Sequence, residues 1–125
     1  MEDIELPQNK NDVQRVEMLQ SISSEKLVPH ISELLTWLQD GNWPIARVIV
    51  PTLMKCSDYL APYLKGVLNS DDAIWKFWVV KFLIPELPKE TRDLLMDDIV
   101  RIINYPTTEE IAEEVPSALM NLIDL

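Results

Sequence analysis

Glycine is nearly absent from this chain, at two residues in 125 (Gly41 and Gly66). Few turns can therefore rest on positive φ, and strand-rich folds with many tight turns are disfavoured. Cys56 is the single cysteine, which excludes an internal disulfide and a cysteine-based zinc site. His30 is the single histidine, so the paired Glu-x-x-His motifs of di-iron bundles cannot be assembled. Positive charge is scarce as well: 11 Lys and Arg stand against 21 Asp and Glu, for a net charge of -10. A field of that sign repels phosphate backbones and anionic lipid, which argues against nucleic acid and against a membrane surface. No apolar run approaches the length of a membrane span, since the stretch from Ile74 to Pro85 is interrupted by Lys76 and Lys81. The opening MEDIELPQNK lacks the basic start and apolar core of a secretory signal, so a cytoplasmic location is expected.

What is present is an ordinary globular balance, 47% hydrophobic with 26% charged. It fits a single domain over residues 12–125 behind a loose polar arm, residues 1–11. Asp12 is placed to cap a first helix carrying Val13, Val16 and Leu19. Ile31, Leu34, Leu35 and Leu38 then recur at i, i+3, i+4 and i+7, the spacing of one helix face. Asp40-Gly41-Asn42 should end that helix, with Gly41 left-handed and Asn42 capping the next. Pro44 suits a first helical turn, whereas Pro51 predicts a kink or an early stop. Leu60, Leu64, Val67 and Leu68 mark another helix, and Asn69-Ser70-Asp71-Asp72 a second acidic turn.

From Ala73 to Ile84 the chain is apolar almost all the way round a helix, the pattern of a central, buried element. A helix opening at Thr91 puts Leu94, Leu95, Ile99, Ile102 and Ile103 on one face. Thr107 and Glu110 have the Thr-x-x-Glu form of a capping box. Ile111, Val115, Ala118 and Leu122 are the expected stripe of a last helix bent by Pro116.

Three helix pairs superpose by their turns, with Leu38, Leu68 and Ile103 ending first helices and Trp43, Trp75 and Ile111 opening second ones. The fold expected is all-α, a stack of about three helical hairpins of the HEAT-like kind after an N-terminal helix. Within Leu34–Ala46, the residues Trp37, Asp40, Asn42, Trp43, Pro44 and Ala46 match a Trp-x-x-Asp-x-Asn-Trp-Pro-x-Ala signature. On it the chain resembles the bacterial domain-of-unknown-function family 5071. The likeness continues through Asp72–Trp78, Arg101-Ile102, Pro106-Thr107 and Glu113–Val115, and covers roughly residues 12 to 122. The resemblance implies a helical, repeat-like fold and supplies no catalytic residue; Pro51 and Pro116 depart from the family's pattern.

Candidate sites are few. Trp75, Trp78 and Phe82 share a face, with Trp37 and Trp43 around the first turn. They can form an aromatic groove, but their size favours core. Phe77 points away from Trp75 and is the better exposed anchor. Asp40, Asn42, Asp71 and Asp72 precede helix starts, where carboxylates cap amides and complement the dipole, or meet a partner. Glu109, Glu110, Glu113 and Glu114 form i, i+4 carboxylate pairs. With Asp97 or Asp98 such carboxylates could hold a divalent ion or supply a general base. A solvated acidic face that docks something basic is the simpler reading. His30 at a helix start and Cys56 as a small buried side chain offer no nucleophilic constellation, and no Gly-rich loop supplies an oxyanion hole.

The function expected is thus a protein-interaction module with an acidic helical surface and a basic protein partner, an immunity or antitoxin-like protein being its specific form. A small carboxylate-based metal-binding protein or enzyme is the alternative. No catalytic residue and no cofactor are assigned.

Overall fold

Helix positions follow the apolar spacing. The structure, a computed structural model, describes residues 4–123. Its regular secondary structure is helical, with no strand among the described residues. The α-helices are α1 (Val13–Leu19), α2 (Ser24–Leu27), α3 (Ile31–Leu35), α4 (Pro44–Met54) and α5 (Ala61–Leu68). They continue as α6 (Ala73–Phe82), α7 (Lys89–Asp93), α8 (Met96–Asn104), α9 (Thr108–Ala112) and α10 (Val115–Ile123). Tighter 3₁₀ turns at Val28–His30, Thr36–Leu38, Ser57–Tyr59 and Ile84–Glu86 extend or join them.

The periodic residues form one continuous core. Val16 and Leu19 of α1 pack toward Ile45, Ile49 and Leu53 of α4, while α10 lies against both α6 and α8 and brings in Val115 and Leu119. Burying this many Leu, Ile and Val side chains, each contributing roughly 1.5–3 kcal/mol, is the main source of stability.

Several local expectations are corrected. Gly41 is not left-handed, since no described glycine has positive φ. Its need for a bare backbone comes from the Trp78 ring, whose atoms lie 2.1–2.5 Å from where a Cβ would stand. Asn42 does not cap α4; Trp43 holds the N-cap position, and Asp40 Oδ1 accepts the Asn42 amide at 2.9 Å instead. Asp12 makes no cap bond to α1 and accepts from the Gln8 amide at 3.3 Å. Pro51 does not stop α4, which runs on to Met54.

Pro116 does not bend a long final helix. The chain breaks before it, at Glu114 with φ 61°, and Pro116 sits in the first turn of α10. Proline is well tolerated there because first-turn amides have no helical acceptor. The break turns α9 so that Ile111 is 60% exposed, contrary to its place in the expected stripe. Leu94 is likewise exposed, in the joint between α7 and α8. Residues 1–3 of the expected loose arm lie outside the described residues, but 4–11 are held. Pro7 is buried, Ile4 and Leu6 touch the core, and the Lys10 carbonyl accepts the Ile45 amide at 3.1 Å.

Candidate functional site

Glu110 organises the region around α9. It sits at the third position of that helix and, far from lying on a solvated face, is 0% exposed. Thr107 Oγ1 accepts the Glu110 amide at 3.1 Å, and Glu110 Oε1 accepts the Thr107 amide at 2.8 Å, completing the capping box. The same carboxylate accepts from Lys76 Nζ of α6 at 2.7 Å, and from Arg101 Nη1 and Nη2 of α8 at 2.7 and 2.9 Å. Arg101 Nη2 also donates to the Leu68 carbonyl at the end of α5, at 3.2 Å. Burial pushes the Glu110 carboxyl up, but the bonds from Arg101, Lys76 and the Thr107 amide outweigh it and hold the group at about 2. The carboxylate thereby ties α6, α8 and α9, and Arg101 extends the tie to the end of α5.

That tie fixes what surrounds it. Asp71 and Asp72 of the second acidic turn face Glu109 and Glu113 across a depression of about 510 Å³ floored by Ala73, Ile74 and Ala112. Ile74 is 48% exposed in it. Asp72 caps α6 by accepting the Trp75 amide at 3.0 Å. None of these carboxylates has an ion-pair partner among the described residues. Glu114, at the break, lines a second depression of about 330 Å³ with Phe77 and Lys81. Phe77 is half-buried against Trp78, their rings 5.0 Å apart, so it is a wall of that groove rather than a free anchor.

The structure thus gathers Asp71, Asp72, Glu109 and Glu113 into one face and sets Glu114 and Phe77 beside each other. It removes Glu110 to the interior and leaves Asp40 and Asn42 at the other turn, lining neither depression.

Trp37, Trp43 and Trp75 are half-buried against the core, and Trp78 is half-buried over Gly41. Trp37 and Trp43 meet edge to face at 6.0 Å, and Trp75 Nε1 donates to the Leu35 carbonyl at 3.0 Å. Among the described residues no group of three His, Cys, Asp or Glu is arranged to hold a metal ion. The carboxylates named for that purpose are partly occupied: Asp98 accepts from Lys65 at 2.9 Å and from Asn69 at 2.9 Å. Burial pushes the Cys56 thiol up, away from the thiolate a nucleophile needs.

The match to known families runs over residues 5–122. The chain belongs to the family described as Domain of unknown function (DUF5071). No curated protein matches it. Several residues of the Trp37–Ala46 stretch have a physical account here: Asp40 closes its turn, Pro44 opens α4, and Trp37 packs on Trp43. None of them lines the acidic depression.

Sequence reasoning missed Lys76 and Arg101 as partners of Glu110, and Ile74 as the exposed floor. A signal existed for the first. A lysine in the middle of an otherwise apolar helix cannot stay charged in the core without a carboxylate. The capping-box glutamate is a carboxylate pinned by its own backbone. No local signal exposes Ile74, because the helix that bears it is apolar on every side.

Proposed function

We propose that this member of the family is a cytoplasmic protein-interaction module that docks a basic protein on the face made by Asp71, Asp72, Glu109 and Glu113. The observation that carries the reading is the convergence of these carboxylates, without ion-pair partners, around an apolar floor that includes Ile74. Carboxylates serving only as caps need no such convergence from α9 and the α5–α6 turn. A chain of net charge -10 steers a cationic partner toward itself, and the exposed isoleucine adds apolar contact once the partner arrives. Lys76, Arg101 and Glu110 act beneath the face as positioning residues, holding α9 at a set distance from the start of α6.

An immunity or antitoxin-like role, neutralising a basic toxin, is the specific form of this proposal. A HEAT-like stack of about three helical hairpins, α3 with α4, α5 with α6 and α8 with α9, is part of the same proposal. Both rest on size, acidity and helical architecture.

The test is capture from the source lysate by the wild type and by Asp71→Lys/Glu109→Lys/Glu113→Lys, with Glu17→Lys/Glu25→Lys as a control of similar charge change elsewhere. A basic protein retained by wild type and control, lost from the triple variant and weakened by salt is the expected result. Equal retention by all three proteins would remove the face from the proposal.

A further inference from the structure

No close neighbour and no positive φ within its own chain requires a glycine at position 66. Gly66 lies inside α5, exposed, and a Cβ built on it would meet nothing within 4 Å. Glycine inside a helix destabilises it relative to alanine, and here neither positive φ nor a close neighbour requires the exchange. The other glycine, Gly41, is accounted for by the Trp78 ring. The bare backbone at Gly66 opens into a groove of about 380 Å³ walled by Leu35, Pro62, Tyr63, Val67 and Trp75. No charged side chain lines it, in a chain of net charge -10.

We propose that this groove is the contact between two copies of the chain, with α5 packed antiparallel on its twin. The register follows from the helix surface. Tyr59, Pro62, Tyr63 and Gly66 fall at i, i+3, i+4 and i+7, and Leu60 carries helical φ and ψ, so the face is continuous from the Ser57–Tyr59 turn into α5. Tyr59 is 51% exposed, a large projecting side chain seven residues from the notch at Gly66. A twofold axis passing between positions 62 and 63 sets Tyr59 of each copy against Gly66 of the other, and Pro62 against Tyr63.

Knob and notch are thus met twice by one surface, which is what an isologous dimer requires. Tyrosine is also among the side chains enriched at protein interfaces. The missing Cβ lets the two helix backbones approach closely. The uncharged lining lets copies that repel elsewhere meet without burying unpaired charge.

This interface shares no lining residue with the acidic depression and does not depend on the proposed function. Salt separates the two: screening should strengthen pairing between like-charged copies and weaken the capture of a basic partner. The experiment is sedimentation equilibrium of the purified full chain over a wide concentration range, at low and moderate salt. The expected result is a shift from 14.5 kDa to twice that mass with concentration, favoured by salt. Gly66→Leu and Tyr59→Ser should each return the protein to the single-chain mass while circular dichroism shows unchanged helicity. A single-chain mass up to millimolar concentration would overturn the proposal, and so would a dimer that both variants leave intact.

Discussion

Replacing Glu110 by glutamine would leave Lys76 charged and buried with only a neutral oxygen to face. The wild-type carboxylate accepts from Lys76 Nζ at 2.7 Å, from Arg101 at 2.7 and 2.9 Å, and from the Thr107 amide at 2.8 Å. The loss falls unequally on the two cations. The Arg101 side chain is 34% exposed and can recover water, whereas that of Lys76 is 4% exposed and cannot. Removing one partner of a buried ion pair costs roughly 3–5 kcal/mol. Glutamine keeps one carbonyl acceptor, so a loss of about 3 kcal/mol is expected, at the low end of that range. Urea unfolding at neutral pH, followed by circular dichroism and tryptophan emission, measures it as a lower midpoint at unchanged slope. Adding Lys76→Met removes the stranded charge with a side chain of similar length, and the double variant should recover part of the loss. A loss under about 1 kcal/mol in Glu110→Gln, the range of an exposed ion pair, would refute the account of Glu110 as the buried tie between helices.

The same carboxylate sets an acid limit. Its pKa is lowered from 4.5 to about 2 on folding, so the unfolded chain takes up the proton first. The stabilisation is therefore complete above about pH 5 and lost as pH falls from 4.5 toward 2, a total of about 3 kcal/mol. Asp98, also lowered because Asn69 and Lys65 outweigh the effect of burial, acts in the same direction below its ordinary 3.8. Denaturation midpoints measured across that window should fall steeply in the wild type and less so in Glu110→Gln. Gly41→Ala should cost roughly 1–3 kcal/mol, because a Cβ there forces the Trp78 ring aside. A lowered melting temperature with shifted tryptophan emission is the expected signature, and an unchanged melting temperature would show that the ring moves freely.

Much of the framework can be read from residue order. Thr107 and Glu110 announce their capping box because both partners lie within one turn, and Asp72 caps α6 for the same reason. The i, i+3, i+4 spacing of Ile31, Leu34, Leu35 and Leu38 places them in the core correctly, since one helix has one inward face. Ile111 and Glu110 show where this logic ends. They are adjacent, and the periodic pattern sends Ile111 inward, yet Glu110 is buried and Ile111 exposed. What reverses them is the break at Glu114, which frees α9 from the phase of α10. The candidate face was legible only in halves, as two acidic stretches some 40 residues apart. Their meeting depends on Lys76 and Arg101 reaching a carboxylate from two other helices.

By itself, then, the sequence determined what acts over a few residues: an all-helical chain, the caps at Asp72 and Thr107, the inward face of its most regular helices, and a strongly negative charge. Hydrogen bonds within one turn and the period of a helix are local, and so they are written locally. Tertiary structure alone decided which carboxylates are buried and which stand free, why a Cβ at Gly41 would strike a neighbour while one at Gly66 would meet none within the chain, and which surfaces face outward. Those outcomes rest on contacts between residues far apart in the chain, such as Trp78 over Gly41 and Lys76 on Glu110, and no stretch of sequence contains both partners of either.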